Sequence, residues 1–598
     1  MSLTTLEETG ILSAGTVRLS RHLGYLYGED RDLVIMAAAC TITALGAGSV
    51  CFDVDQVGQW QSDQPIDWPD VDDWLTTLAS SPMVSTDPDA RDRPLILDHR
   101  SVYLTRYWAE QEKIVAWFSS RLAQVSISPA PELDSRRENT SSRGEITPVS
   151  PAIMRPVSPD PVDLFFPEPS DQKRAAVLAT HSSVCVIAGG PGTGKTTTVA
   201  RILSALSQPK SDPLRVILTA PTGRAAARLE QAVRENLAAC ESLPGANIDV
   251  RYESGTIHRV LGIKPWGGVD HDANHPLPAD VIVVDEASML SLHLMALLLD
   301  AVSDSTRLIL VGDPDQLASV EAGAVLADVV ANSGTIPVAR LTHTYRFSGA
   351  IASLAESIRC GDSDEALSIL DQPSDQIEWI RADLESPEFS PDSLTTLRED
   401  IIRQSASMIR AGSAGDTDEA LRLLDSHRLL LAHRHGISGV SHWTSVVRGW
   451  LSHSPQIGPL SSHWQAGMPV LITRNDDLMG VFNGDSGVIV SSQVGLRLAL
   501  NDGTSTRLIA PDMIQAWEPL YASTIHKSQG SQYDTVSLIL PPRTTALLTR
   551  ELFYTAVTRA KSFLRIIGSP DSIRHAIESP ALRASGLAAQ LCALSGRR

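Results

Sequence analysis

Apolar residues fall along this chain in two rhythms. Six runs, Val184–Ala188, Val216–Ala220, Val281–Val284, Arg307–Val311, Arg428–His433 and Phe563–Ile567, are aliphatic almost throughout and stop at glycine, proline or polar residues. Bounded apolar runs of this length read as buried strands. Between them apolar positions recur at helical spacing: Val199, Ile202, Leu203 and Leu206 stand at i, i+3, i+4 and i+7, the stripe of an amphipathic helix. The alternation predicts an α/β architecture over most of the chain.

The pattern changes at three places. In residues 1–125 the apolar and aromatic positions, among them Leu104, Tyr107, Trp108, Ile114, Val115, Phe118 and Leu122, recur near helical spacing, which predicts a mainly α-helical N-terminal domain used for docking. Residues 126–163 turn to Ser, Pro, Arg and Glu, too polar and Pro-rich for a core, and read as a linker. Residues 467–518 carry three β-like runs separated by Asn-Gly and Asn-Asp-Gly, the signature of a small β-barrel inserted in the second half. A short hairpin around Trp266 is expected near 262–280.

The α/β part then divides into 164–345 and 346–598, and its strand ends carry the chemistry. The first strand feeds Gly189, Gly190, Pro191, Gly192, Thr193 and Gly194, followed by Lys195, Thr196 and Thr197 at a helix start. This is a complete P-loop. Its backbone N–H groups suit triphosphate oxygens, Lys195 suits the β and γ phosphates, and the Thr196 hydroxyl suits Mg²⁺. ATP and Mg²⁺ are therefore the expected cofactors. Gln172, just ahead, offers an amide to the adenine edge. The third strand ends in Asp285-Glu286, with Asp285 placed to hold the metal and Glu286 to polarise water. Gln316 follows the fourth strand, where a γ-phosphate sensor belongs, and Arg346 and Arg559 are candidate arginine fingers.

A second set of residues suits a nucleic-acid backbone. Thr222 and Arg224 lie where a strand meets a helix, a favourable place for phosphate. Thr256, His258 and Arg259 bring a hydroxyl, an imidazole and a guanidinium close together, and Thr524, His526, Lys527 and Gln529 supply further donors.

Composition tempers this only slightly. The formal net charge is −20, with 43% hydrophobic residues. A negative chain is a poor polyanion binder overall, yet residues 1–160 hold 23 acidic and 13 basic residues, so half of the charge lies outside the P-loop part, and a groove needs only a local field. No stretch approaches a membrane span and the N-terminus lacks a signal-peptide plan, so a cytoplasmic protein without membrane contact is expected. The six cysteines form no C-x-x-C pair, which argues against zinc and disulfide frameworks.

Taken in order, GGPGTGKTT, APTGRAAARL, TIHRVLG, VVDEAS, GDPDQLASV, YRF, TIHKSQGSQ and YTAVTRAK resemble the motifs of superfamily 1 helicases. With VEAGAVLAD and FNGDSG they resemble in particular the RecD family, the 5′→3′ motor subunits of the RecBCD helicase–nuclease (exonuclease V). The resemblance implies two RecA-like P-loop NTPase lobes, with an SH3-like barrel in the second, and single-stranded DNA crossing both lobes past Thr222, Thr256, His258, Asn483, Thr524 and His526. It implies a heterotrimer with RecB and RecC acting on double-strand DNA ends in recombinational repair, the N-terminal domain on RecC, and no nuclease in this chain. Two alternatives share these residues: a free-standing RecD-like helicase, and a nucleotide-gated clamp that does not unwind.

Overall fold

The computed structural model of the chain describes residues 3–60, 66–123, 160–208, 212–264, 266–345, 349–460, 463–476, 478–501, 506–542, 545 and 547–595. Most of the 126–163 linker lies outside the described residues. Its last residues begin a helix, Pro161–Phe165, capped by Asp160, with Val162 and Phe165 buried.

The N-terminal region has helices Leu3–Glu8, Ala14–Tyr27, Asp32–Gly46, Val71–Ala79 and Thr105–Ala123. It also has a sheet that the helical reading missed: β1 (Phe52–Asp53), β2 (Val84–Ser85), β3 (Leu95–Asp98) and β4 (Ser101–Leu104), in the order β1-β4-β3-β2. Strands of two to four residues are too short to show a period of two. Leu104, counted in the helical stripe, is the last residue of β4, and the helix begins at Thr105.

The first half of the α/β part is a six-stranded parallel sheet. Its strands are β5 (Val184–Gly189), β6 (Leu214–Ala220), β7 (Val250–Thr256), β8 (Val281–Val284), β9 (Arg307–Gly312) and β10 (Val338–Leu341), ordered β10-β5-β9-β8-β6-β7. Val281 to Val284 are all buried, as a sheet covered on both faces requires. This order sets the C-terminal ends of β5, β9 and β8 side by side, although the P-loop, Asp285 and Gln316 are remote in sequence. The expected hairpin is not found: among the described residues of 262–280 there is a turn closed by Lys264 N to Gly268 O, but no strand, and Trp266 is 83% exposed.

The second half starts with β11 (Ile377–Ile380) and β12 (His427–Leu431). Then comes an antiparallel sheet of β13 (Pro469–Ile472), β14 (Ser486–Ser492), β15 (Gly495–Asn501), β16 (Thr506–Ile509) and β17 (Trp517–Pro519), ordered β16-β15-β14-β13-β17. After it β18 (Ser523–Thr524), β19 (Tyr533–Ile539) and β20 (Ala560–Ile567) complete a five-stranded parallel sheet, β11-β20-β19-β12-β18. One face of the antiparallel sheet packs on helices Thr395–Ala414 and Thr417–Ser426 through Met408, Leu424, Val488 and Val490. A Cβ on Gly412 would stand 2.5 Å from Gly467 N, so only glycine allows that approach.

The N-terminal region is seated on the first sheet's helices. Arg121, 1% exposed, donates to the carbonyls of Val302, Ser303, Asp304 and Thr306, just past helix Leu292–Asp300. A guanidinium there satisfies carbonyls of the loop that follows the helix, near the negative end of its dipole. Trp108, Phe118, Met295, Leu298 and, from the C-terminal helix Leu587–Ser595, Leu587 and Leu591 share one core. Among the described residues no helix is long and apolar enough to cross a membrane.

Candidate functional site

At the end of β5 the chain turns through Gly192 and Gly194, both at positive φ (79° and 80°), into helix Lys195–Ser207. A Cβ on Gly189 would lie 2.9 Å from Leu341 O, and one on Gly194 2.6 Å from Gln172 Nε2. Glycine is thus required for the loop to curl against its surroundings. Thr193 Oγ1 donates to Gly190 O at 2.9 Å, and Lys195 Nζ donates to the carbonyls of Gly189 and Gly190 at 2.7 and 3.0 Å. Gln172 Nε2 reaches Thr193 O at 3.4 Å, and Tyr345 N donates to Gly192 O at 2.9 Å. Pro191 is half-buried within the loop, and Thr196 and Thr197, also half-buried, occupy the first helical turn.

Asp285 and Glu286 follow β8. Asp285 N donates to Thr219 O and Glu286 N to Asp285 Oδ1, each at 2.9 Å. Glu286 has φ 51°; among the described residues it and His99 are the non-glycine residues at positive φ. Such strain at a strand end aims a side chain that the regular backbone would not. Burial pushes the Asp285 carboxyl up, the neighbouring Glu286 adds to this, and Lys195 opposes it. Burial likewise raises Asp313, again against Lys195. The cation thus lies within electrostatic reach of both carboxyls. Thr196 and Asp285 offer hard oxygen donors, and among the described residues no group of three His, Cys, Asp or Glu could hold a metal ion. That donor set fits Mg²⁺ held jointly by two protein oxygens, water and a nucleotide's phosphates.

The loop after β9 joins the two parallel sheets. Gln316 Nε2 donates to Asp313 Oδ2 at 2.9 Å, and Tyr554 OH donates to the same oxygen at 3.2 Å. Arg559, 2% exposed, donates through Nη2 to Gln316 Oε1 at 2.9 Å, through Nε to Thr555 O at 3.0 Å and through Nη1 to Ser531 O at 3.2 Å. Leu317 N donates to Thr555 Oγ1 at 2.8 Å, and Gln529 Nε2 donates to Leu317 O at 2.6 Å. Asp313, Tyr554 and Thr555 went unread in the sequence. Only the acid had a visible signal there, its place at a strand end. Gln529 was read as a phosphate or ribose donor and lies instead in this bridge. Arg346 lies outside the described residues.

Of the residues assigned to nucleic acid, Thr222, Arg224 and Thr256 stand at or beside the start of helix Gly223–Glu241. Thr222 caps it, its Oγ1 accepting from Ala225 N at 3.3 Å, and Thr256, paired with Ala220 in register, caps Ile257–Leu261. A Cβ on Gly223 would approach Asp485 Oδ1 to 3.9 Å and Thr256 Cγ2 to 4.0 Å, and one on Gly530 would lie 3.7 Å from Thr222 Oγ1. Asp485 and Gly530 therefore meet this helix start. Asn483, His258, Arg259 and Lys527 are exposed, and Thr524 and His526 half-buried. Burial lowers the pKa of His526 and of Lys527. Arg224 differs from expectation: its guanidinium is taken up by Asp425 Oδ1 at 2.7 Å and Ser486 Oγ at 3.3 Å, which ties the helix to the second half of the chain.

Family models match three parts of the chain: residues 8–103 match the RecBCD enzyme subunit RecD, N-terminal domain, residues 169–381 an AAA domain, and residues 519–567 a UvrD-like helicase C-terminal domain. RecBCD enzyme subunit RecD of Mycobacterium tuberculosis (strain ATCC 25618 / H37Rv) is 40% identical over 592 residues, 98% of this chain and 96% of the relative. The ATP-dependent RecD2 DNA helicase of Deinococcus radiodurans is 31% identical over 66% of this chain and 48% of its own. Among solved structures, Bacteroides Pif1 bound to ssDNA is similar over 66% of this chain and 91% of that one, at 16% identity and a TM-score of 0.37. The near full-length match to the mycobacterial subunit, together with an N-terminal region of the RecD type, places this chain in the RecD family.

Proposed function

We propose that the chain is an ATP-dependent DNA helicase that moves 5′→3′ along single-stranded DNA, as the motor subunit of a RecBCD-type complex resecting double-strand DNA ends in recombinational repair. In this reading 164–345 and 346–598 are two RecA-like lobes, with ATP between them. Lys195 and the P-loop hold the phosphates, Thr196 and Asp285 hold Mg²⁺, Glu286 orients water, and Gln316, Arg346 and Arg559 act on the γ phosphate. When bound, Mg²⁺ would neutralise charge on the phosphate oxygens. The strand passes Thr222, Thr256, His258, Asn483, Thr524 and His526, with the 467–518 sheet serving as an SH3-like insert. Residues 1–125 dock on RecC, the linker 126–163 joining them to the motor; Tyr25 and Leu26, 82% and 61% exposed on helix Ala14–Tyr27, support a docking role. In this reading the chain works in the cytoplasm.

The observation that carries this reading is the hydrogen bond from Arg559 to Gln316. A residue of one sheet's end is thereby held by a residue of the other, so that nucleotide chemistry and the separation of the two halves share one contact. The test is unwinding of matched duplexes with a 5′ or a 3′ single-stranded tail, using the purified chain and its Lys195→Ala variant. Opening only of the 5′-tailed duplex by the wild type is expected. Opening only of the 3′-tailed duplex would reverse the polarity, and no DNA-stimulated ATP turnover would remove the motor reading.

A further inference from the structure

The loop that carries Gln316 is held at its far end by a part of the chain that neither the P-loop nor the strand-end residues involve. After helix Pro570–Glu578, residues 579–586 leave the second half and cross to the first. Ala581 N donates to Glu551 Oε2 at 2.8 Å, so the crossing starts from the helix that leads to Arg559. Val50 N donates to Ala584 O at 2.8 Å, and Ala584 N to Ser49 Oγ at 3.1 Å. Ser585 Oγ donates to Asp328 Oδ2 at 2.9 Å, and Asn332 Nδ2 to Ala588 O at 3.0 Å. The segment ends in a helix whose Leu587 and Leu591 are fully buried. It is a strap joining both halves and the N-terminal region.

One side chain of this strap reaches the sensor loop. Arg583 Nη1 donates to Ser319 O at 2.7 Å, three residues beyond Gln316. Its guanidinium lies flat against Gly48: a Cβ there would stand 2.9 Å from Arg583 Cζ, and Gly48 has φ 91°. The carbonyl of Gly48 in turn accepts from Gly323 N at 3.0 Å. The loop closes on itself between these anchors, Ser319 Oγ donating to Glu321 O at 2.7 Å and to Gly323 O at 3.1 Å. Gln316 and Leu317 are tied to Arg559, Thr555 and Gln529, and Ser319 and Gly323 to the strap and the N-terminal region. Arg583 also lies close enough to His526 for its charge to disfavour the protonated imidazole.

We infer that Arg583 is a positioning residue for ATP hydrolysis: by holding Ser319 it sets where Gln316 stands relative to Arg559, and it links that setting to the strap and to the N-terminal region. The inference rests on the reading of Gln316 and Arg559 as γ-phosphate groups. Among the described residues no hydrogen bond joins Arg583 to the P-loop, so its loss leaves nucleotide binding in place and acts on turnover. Misplacement of a reacting group by about 1 Å costs about 10²-fold in rate, and a loop released at one of its two ends loses part of that precision.

The experiment measures ATP turnover of the purified full chain against ATP concentration, at saturating single-stranded DNA, for the wild type, Arg583→Ala, Arg583→Lys and Ser585→Ala. Arg583→Ala is expected to lower kcat about tenfold or more with KM for ATP within about twofold. Arg583→Lys, whose ammonium can still reach the Ser319 carbonyl, is expected to recover most of kcat. Ser585→Ala breaks the strap elsewhere and should leave kcat unchanged. Wild-type kcat in Arg583→Ala, or an equal loss in Ser585→Ala, overturns the inference. Should Arg583→Ala lose its fold by circular dichroism, Arg583→Gln, which keeps part of the stem but not the reach, takes its place under the same criteria. Lys195→Ala run alongside separates the two levels: turnover that survives it overturns the site reading itself, whereas Lys195-dependent turnover indifferent to Arg583 overturns the positioning role alone.

Discussion

Arg559 Nη2 donates to Gln316 Oε1 at 2.9 Å, and the two residues are 243 positions apart in the chain. Because Gln316 Nε2 is already committed to Asp313, its amide is fixed in one orientation, oxygen toward the guanidinium. The arginine is fixed too, by Thr555 O and Ser531 O. Neither side chain is free to search; a bound γ phosphate would have to be read by groups already aligned, which is how preorganised charge lowers a barrier.

The first prediction concerns this pair. Arg559→Ala should lower kcat for ATP by about 10³-fold, the scale of an arginine finger, and Arg559→Lys should not restore it, since an ammonium cannot repeat the planar fork. Adding Gln316→Ala to Arg559→Ala should cost less than about tenfold further, because coupled groups do not add. A double-variant loss equal to the product of the single losses would falsify the coupling.

Lys195 supplies the positive charge felt by Asp285 and Asp313. Lys195→Ala should reduce ATP turnover by about 10²-fold or more while far-UV circular dichroism stays that of the wild type, since among the described residues the side chain hydrogen-bonds to its own loop alone. Unchanged turnover would refute the P-loop assignment.

Glu286→Gln keeps the shape of a side chain held at φ 51° and removes only its basicity. Turnover should fall by about 10²- to 10⁴-fold, the usual worth of a general base, with binding of a fluorescent ATP analogue retained. Loss of binding in step with turnover would show a structural role instead.

His427 is buried under Ser537, its Nε2 2.9 Å from the hydroxyl. Burial first, then the Arg565 and Arg428 charges, lower its pKa from the usual 6.5 to about 4, with Asp400 opposing. The unfolded chain therefore takes up the proton before the folded one does. The stabilisation is complete above pH 6.5 and is lost as pH falls from there toward 4, by up to about 3 kcal/mol. Melting temperatures of the wild type and His427→Gln, followed from pH 7 to 4.5, should show a steeper decline for the wild type; parallel curves would rule this out.

Arg121 holds the N-terminal region by four backbone carbonyls. Arg121→Ala leaves these acceptors without their partner and should weaken the attachment by about 3 kcal/mol. A lower first transition in differential scanning fluorimetry is the expected sign, and an unaltered melting profile would show that the apolar core around Trp108 and Phe118 suffices.

Much of the fold and of the nucleotide site was legible in the sequence because its signals are local. Buried strands of four to six aliphatic residues, and a glycine run before Lys195 and Thr196, show their chemistry in consecutive positions. The P-loop, Asp285-Glu286 and the helix start at Thr222 stand where those signals put them. Where the local signal was weak the reading fell short: β1 to β4 are too brief to show alternation, and the turn around Trp266 carries hairpin-like residues without forming strands. What only the tertiary structure decided is which distant groups meet. The strand order β5-β9-β8 sets three loops side by side; Arg559 turns to Gln316, Arg224 to Asp425, and Arg583 crosses the molecule to Ser319. The physical reason is that an arginine's reach and its choice of acceptor depend on which backbone carbonyls and carboxylates packing leaves within hydrogen-bond distance, a property of the assembled chain and not of any segment of it.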